Sequence, residues 1–158
     1  MPLEAFHARL ATPIAVLGIR IVGECLTDIA YLPRGSATLA PQNKLAERVC
    51  LQIERYMDDP QFCFDLPFEY RGTPFQCRVW HEISRIHSGK TNTYKGLARR
   101  LQSAPRAVGG ACGRNRLPLL IPCHRVLAVN GIGGFMHARA GDPIKIKIWL
   151  LRHEGAQF

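Results

Sequence analysis

Long apolar runs and closely spaced metal-binding pairs are both missing from this sequence. No apolar stretch in the 158 residues approaches the roughly 18 that a membrane-spanning helix needs. The six cysteines form no Cys-x-x-Cys pair, and no histidine pair follows at zinc-finger spacing, so a structural zinc site is not indicated. The N-terminus carries Glu4 and no long apolar segment, which argues against a secretory signal and a disulfide framework. We therefore expect a cytoplasmic protein without a membrane partner.

Acidic residues are scarce in the second half of the chain. Residues 1–70 contain six Lys and Arg against nine Asp and Glu, whereas residues 71–158 contain fifteen against three. A strongly basic segment joined to a mildly acidic one is typical of proteins that bind a polyanion. A solvated basic surface explains the excess almost as well, so charge alone favours nucleic acid only slightly.

The first half has the pattern of a small α/β domain. Aliphatic residues fill 14–21 and 26–32 with Gly23 between them, which predicts a two-stranded hairpin. Apolar residues at helical spacing predict a helix over 42–57. The composition changes over 60–72, and we therefore place two domains at 1–68 and 69–158.

The second half is predicted to be mostly helical. Thr73 and the proline after it form a strong start signal for a helix that should end at 88–89. Thr93 is positioned to cap a second helix, and a third should begin at 103–105 and end near Gly113. Two short helices joined by a tight turn form a helix-turn-helix, although many helical proteins contain such a pair. A last helix should run over 142–155, and its inward apolar face should consist of Ile144, Ile148 and Leu151.

The third of these helices is unusually rich in small residues, with Gly109 and Gly110 at its centre. Each glycine lowers helix propensity by up to about 1 kcal/mol, so its presence needs a reason. Tight packing against a neighbouring helix is one reason. Close approach of the backbone to a DNA groove, with Arg106 reaching into the duplex, is the other.

The segment Pro122-Cys123-His124-Arg125-Val126 has the clearest chemistry. A free cysteine has a pKa of about 8.5, so it needs a neighbouring base or cation to be a ready nucleophile at neutral pH. His124 follows Cys123 directly, although adjacency in sequence does not make two side chains face each other. Taken alone, a Cys-His dipeptide is more often part of an inert core.

Further motifs surround this segment on both sides. They are Gly72-Thr73-Pro74-Phe75-Gln76 with Val79-Trp80, Thr93-Tyr94 with Leu97-Ala98, the run from Arg106 to Asn115, Pro118, the run from Ile121 to Val126, and the run from Trp149 to Gly155. Together they closely resemble the O6-alkylguanine-DNA alkyltransferase family, also called methylated-DNA–protein-cysteine methyltransferases. The resemblance is close over 71–155 and loose over 1–70.

The resemblance implies an α+β fold in two parts. An N-terminal α/β sheet domain would precede a C-terminal helical, winged-helix-like DNA-binding domain that carries the active-site cysteine. The implied activity is enzymatic DNA repair, in which an alkyl group such as methyl passes irreversibly from O6-alkylguanine to Cys123, once per molecule. The expected partner is double-stranded DNA containing O6-alkylguanine, bound by a monomer. Neither a metal nor an organic cofactor is expected for this displacement.

Four residues would form the catalytic group in a protein of this family. Cys123 would accept the alkyl group, and His124 would draw off the thiol proton. Glu154 would orient His124 and stabilise its charged form, which is the nucleophile–base–orienter logic of a triad. Asn115 would lie at the hinge between the recognition helix and the active-site segment. The alternative for Glu154 is an ordinary helix-end carboxylate, although a helix C-terminus disfavours negative charge.

DNA would be contacted by Tyr94, Arg106, Ala107, Gly109 and Arg114. Arg106 would enter the base stack from the minor groove and fill the gap left by a flipped guanine, and Tyr94 would press on the adjacent phosphate. Extrusion is required because a buried thiol does not reach the O6 substituent of a stacked base. A core aromatic is the alternative interpretation of Tyr94.

The guanine pocket would be lined by Pro118, Val126 and Phe135. The chain departs from the family pattern at three places, none of which touches the implied nucleophile, base or orienter. They are Arg116 where proline is frequent, a longer loop over 135–142, and Lys147-Ile148 where Lys-Arg or Lys-Glu is usual.

Three other functions are compatible with parts of the sequence. One is a non-catalytic protein that binds alkylated DNA, although alkyltransferase-like proteins of that kind lack the acceptor cysteine. Another is a helix-turn-helix regulator that reads base sequence in the major groove and keeps Cys123 as a structural thiol. The third is a small thiol hydrolase, which the basic half and the surrounding motifs argue against.

Overall fold

The computed structural model describes residues 5–136 and 142–158. The chain divides into two units, and the boundary between them falls after Glu69. The first unit combines a small antiparallel sheet with one helix, and the second is mainly helical. The α+β fold class is therefore confirmed. Among the described residues, no helix has the length and apolar character of a membrane span.

The sheet of the first unit contains strands β1 (Ala8–Ala11), β2 (Val16–Val22) and β3 (Cys25–Leu32) in the order β1-β2-β3. The hairpin predicted from the aliphatic runs is formed by β2 and β3, with Gly23 at a φ of +62° in its turn. The short strand β1 was missed, because four residues carry too little alternation to be recognised.

Strand β2 begins two residues later than predicted. The hydroxyl and the amide of Thr12 both donate to the carbonyl of Ala15, at 2.7 and 3.0 Å, and form a turn that keeps Ile14 out of the strand.

One helix, α1 (Lys44–Asp58), belongs to the first unit, close to the predicted range 42–57. The side chain of Asn43 caps it by accepting from the amide of Ala46 at 2.8 Å. Its apolar face buries Val49, Ile53 and Tyr56, so the helix and the sheet share the core of this unit.

The second unit opens with α2 (Pro74–Ser84), whose start is the predicted one. Thr73 and Gln76 form a reciprocal capping box at its N-terminus. The helix ends four residues before Ser88, because the amides of Arg85 and Ile86 bond to carbonyls only three residues back and the last turn tightens.

The predicted helix-turn-helix consists of α3 (Tyr94–Leu101) and α4 (Pro105–Gly113). Between them Gln102 adopts a left-handed conformation with a φ of +54°, which makes the turn sharp. The indole nitrogen of Trp80 donates to the carbonyl of Ala111 at 2.9 Å, so α4 is tied to α2 through a buried hydrogen bond.

Two very short strands pair two segments of this unit that are distant in sequence. Strand β4 (Asn92–Thr93) pairs in parallel with β5 (Val126–Leu127). The last helix, α5 (Asp142–His153), follows. The two strands were not predicted, because two residues carry no detectable period.

Candidate active site

A short 3₁₀ turn, Cys123–Arg125, presents the candidate nucleophile. The Cys123 amide donates to the carbonyl of Ile121 at 2.8 Å, and the residue is only 5% exposed. Just before the turn Leu119 has a φ of +77°, a conformation that a non-glycine residue adopts at a cost of about 1–3 kcal/mol. The buried segment ahead of Cys123 is therefore held in one strained path by its surroundings.

Asn115 connects the end of α4 with this turn. Its side-chain amide donates to the carbonyl of Ile121 at 2.8 Å and to the Cys123 sulfur at 3.3 Å. Its oxygen accepts from the amide of Leu117 at 2.9 Å, and its own amide donates to the carbonyl of Cys112 at 3.2 Å. One side chain thus fixes the corner between helix and turn and also contacts the sulfur.

His124, Glu154 and Arg125 form a buried network that begins at the residue after the candidate nucleophile. The Nε2 atom of His124 lies 2.9 Å from Oε2 of Glu154. Arg125 grips the same carboxylate with two nitrogens, at 2.9 and 2.8 Å, and donates with a third to the carbonyl of Ile86 at 2.6 Å. The guanidinium thus supports the carboxylate that in turn supports the imidazole.

The charges in this network are set by burial and by pairing. Burial alone would raise the pKa of Glu154, but the hydrogen bonds and positive charges of His124 and Arg125 outweigh it and hold the pKa well below its usual range. Burial lowers the pKa of His124, against the opposing pull of Glu154. At neutral pH the pair is a carboxylate and a neutral imidazole, which is the state a proton acceptor needs.

The thiol of Cys123 has a second thiol as its neighbour. Two main causes raise the pKa of Cys123 well above its ordinary value. The larger is a hydrogen bond with Cys112, and the smaller is burial. The Asn115 amide and the charge of Lys147 act in the opposite direction. The resting group is therefore a thiol, and a base is required to turn it into the nucleophile.

Lys147 is a residue of the site that the sequence interpretation missed. It is fully buried, and its ammonium donates to the carbonyls of Val126 and Gly134 at 2.7 and 2.9 Å. Tyr94 reaches the same place, because its hydroxyl donates to Gly134 at 3.2 Å and its ring lies 5.7 Å from the ammonium. The sequence did contain a signal for this burial, because Lys147 follows the apolar Ile144 by three residues and so lies on the same face of α5.

That stripe also differs from the predicted one. The buried residues of α5 include Lys147, whereas Ile148, which was expected to face inward, is half-buried. The polar residue takes the inner position because two carbonyl groups are present there to accept its hydrogen bonds.

Burial lowers the pKa of Lys147 from 10.5 to about 8, and this predicts a measurable pH effect on stability. Between pH 8 and pH 10.5 the unfolded chain binds a proton that the native state does not, so native stability should rise with pH. Relative to Lys147→Met, the free energy of unfolding should increase by up to about 3 kcal/mol across this window, as urea denaturation would measure. The matched control is Lys145→Met, which replaces an exposed lysine of the same helix, keeps Lys147 and should therefore show the same rise as wild type. A constant difference between wild type and Lys147→Met would contradict the shift.

The outer face of α4 carries the residues expected to meet DNA. Arg106, Ala107 and Arg114 are exposed, and a Cβ added at Gly109 would lie 4.0 Å from the ring of Tyr94. A side chain added at Gly110 would meet no described atom within 4 Å. Packing within the described part of the chain therefore does not explain Gly110, and close approach of the helix to a DNA groove stays the prediction for it.

The residues expected to line the guanine pocket lie in the second unit. Pro118, Val126 and Phe135 are buried, and Phe135 follows the glycine whose carbonyl binds both Tyr94 and Lys147. The longer loop over 135–142 lies mostly outside the described residues. In the described ranges, no group of three His, Cys, Asp or Glu side chains is arranged to hold a metal ion.

Comparison with known proteins gives one family. A family model described as "6-O-methylguanine DNA methyltransferase, DNA binding domain" matches residues 74–156. A methylated-DNA–protein-cysteine methyltransferase of Archaeoglobus fulgidus is 40% identical over 105 residues, which are 66% of this chain and 71% of the relative. A protein of the same name from Haemophilus influenzae is 33% identical over 146 residues, which are 85% of this chain and 82% of the relative.

Solved structures agree with this result. The Mycobacterium tuberculosis OGT in complex with DNA superposes with a TM-score of 0.77 at 30% identity, over 93% of this chain and 91% of that chain. Sequence and fold similarity thus extend over both units.

Proposed function

The chain belongs to the 6-O-methylguanine DNA methyltransferase family, and we propose from this that Cys123 is the residue that receives the alkyl group. As a member of the family, it binds DNA and repairs it by transferring an alkyl group to one of its own cysteines. The observation that carries the choice of Cys123 is the Asn115 amide on its buried sulfur, together with the hydrogen-bonded His124–Glu154 pair that begins at the next residue.

The reaction begins with the thiol proton. Because Glu154 holds Nε2 of His124, the other ring nitrogen, Nδ1, is the one that accepts this proton, directly or through a water molecule. Glu154 stabilises the imidazolium that forms. The thiolate attacks the alkyl carbon, so that the S–C bond forms while the bond from carbon to O6 breaks. The electron pair of the broken bond stays with the guanine, which takes up a proton and is restored.

The DNA side of the proposal concerns α3 and α4. Tyr94, Arg106, Ala107, Gly109 and Arg114 contact duplex DNA, and Arg106 occupies the place of the flipped base. Pro118, Val126 and Phe135 line the pocket that receives the guanine. The substrate is O6-alkylguanine in double-stranded DNA, and the protein acts as a cytoplasmic, DNA-associated monomer with the DNA-binding domain at 69–158.

Intact-protein mass spectrometry with an oligonucleotide that contains O6-methylguanine tests this proposal. We expect the protein to gain the mass of one methylene group, with peptide mapping to Cys123 and saturation at one per molecule. Binding of the oligonucleotide without any mass gain would move the protein to the class of non-catalytic proteins that bind alkylated DNA. Label on another cysteine would refute the assignment of Cys123.

Arg106→Ala should slow the repair of duplex DNA by about tenfold or more, because base extrusion costs a few kcal/mol and the inserted arginine offsets part of it. Transfer from free O6-benzylguanine should change little, because the free base needs no extrusion. Single-turnover rates on the two substrates give the comparison. The control is Arg152→Ala, an exposed arginine of α5. An equal loss on both substrates would show that Arg106 does not serve extrusion.

A further inference from the structure

Cys112 is a second thiol at the reaction centre, and the proposed reaction does not use it. It lies in the last turn of α4, is half-buried, and is in hydrogen-bonding contact with the Cys123 thiol. Asn115 is bonded to both residues, through its amide to the Cys112 carbonyl and through its side chain to the Cys123 sulfur. Tyr94 and Lys147 lie within electrostatic range of both sulfurs. The hydrogen bond between the two thiols and their shared neighbours thus place them in one site.

The properties that make a cysteine a nucleophile also make it oxidisable. A site that generates a thiolate for attack on an alkyl carbon can direct the same sulfur at the weak O–O bond of a peroxide. The sulfenic acid formed in this way condenses with a thiol that lies in contact with it. The partner thiol is already in place here, and its partial exposure gives a small oxidant a route to the pair.

We propose that Cys112 and Cys123 form a reversible disulfide when the protein meets a small hydroperoxide, and that this bond shields the acceptor from irreversible oxidation. That the bridged form accepts no alkyl group rests on the proposed function, whereas formation of the bond does not. In the first step the Cys123 sulfur attacks hydrogen peroxide, the O–O bond breaks, and Cys-SOH and water result. In the second step the Cys112 sulfur attacks Cys-SOH, the S–S bond forms, and a second water leaves. A dithiol restores both thiols and is itself oxidised to a disulfide.

The other four cysteines differ in their surroundings. Cys77 lies on α2 and donates to the carbonyls of Tyr70 and Gly72, at 3.4 and 3.7 Å. The remaining three, Cys25, Cys50 and Cys63, belong to the first unit. Cys112 is therefore the partner to remove in a test, and Cys77 is a half-exposed control cysteine on another helix of the same unit.

The test treats reduced protein with a severalfold molar excess of hydrogen peroxide and follows intact mass and methyl transfer in parallel. Wild type should lose the mass of two hydrogen atoms, yield a cross-linked peptide joining Cys112 to Cys123, and lose transfer by tenfold or more. Dithiothreitol should restore both mass and transfer. Cys77→Ser should behave as wild type.

Cys112→Ser supplies the decisive comparison, each sample being measured against its own reduced state. Without the partner thiol, Cys123 should gain two oxygen atoms as a sulfinic acid, and dithiothreitol should not recover its transfer. A bridge between other cysteines, or full recovery of Cys112→Ser with dithiothreitol, would overturn the proposal. If reduced wild type transfers methyl but no bridge forms after peroxide treatment, the disulfide proposal is overturned and the proposed function stands. A bridge in a protein that takes up no methyl would support the disulfide and refute the acceptor role.

Discussion

Cys123→Ala is expected to abolish alkyl transfer while the protein still binds DNA containing O6-methylguanine. The substitution removes the sulfur that is proposed to form the new bond, and Cys123 is buried at 5% exposure, so the face of α4 that is expected to contact DNA stays as it is. Transfer of a labelled methyl group and binding of the same oligonucleotide, measured on one preparation, check the two halves of the expectation.

Cys77→Ala is the matched control for this variant, because it removes a thiol from α2 and leaves the proposed site unchanged. It should transfer at the wild-type rate. Residual labelling of Cys123→Ala at another cysteine would mean that the acceptor had been assigned wrongly, and loss of binding as well as transfer would point to a structural role for the thiol.

Glu154→Gln is expected to slow transfer by about 10²–10⁴-fold, the range over which a positioned base accelerates proton transfer. The amide keeps a hydrogen-bonding group near His124 but loses the charge that stabilises the imidazolium. Because Glu154 raises the pKa of His124 against the larger effect of burial, its loss should lower that pKa further. The acid limb of the pH–rate profile should therefore move to lower pH, whereas a purely structural role would leave its midpoint unchanged.

The same substitution should also destabilise the protein. Arg125 makes two hydrogen bonds to this carboxylate from a largely buried position, and breaking one side of such a pair costs about 3–5 kcal/mol. Adding Arg125→Met removes the unpaired charge, so the double variant should regain part of the stability without regaining the rate. Recovery of both together would show that Glu154 acts on the fold alone.

The reacting core could be predicted from sequence because most of it lies in one run. Cys123 and His124 are adjacent, and their motif is specific for one family. The resemblance to that family therefore also predicted Glu154, which lies 30 positions from His124. The observed partners of Glu154 give a physical reason for a carboxylate at a helix C-terminus, where the helix dipole opposes it. The roles of these residues in catalysis stay predictions that the variants above would test.

Lys147 and the short strands mark the limits of sequence interpretation. A lysine is assigned to the surface by default, and only the carbonyls of Val126 and Gly134, supplied by distant parts of the chain, make its burial favourable. Strands β4 and β5 exist because the backbone after the 3₁₀ turn runs beside residues 92–93, and two-residue strands leave no pattern. The features that the sequence did not predict are therefore those that depend on contacts between distant parts of the chain.

The separation along the chain of the groups bonded in this site has a consequence for folding. His124 meets Glu154 across 30 positions, Arg125 meets Ile86 across 39, and Tyr94 meets Gly134 across 40. Contacts between residues so far apart form late, because closing long loops costs entropy before the contacts are made. Until the last helix docks and brings Glu154 to His124, Cys123 therefore lacks the arrangement that is proposed to make it reactive.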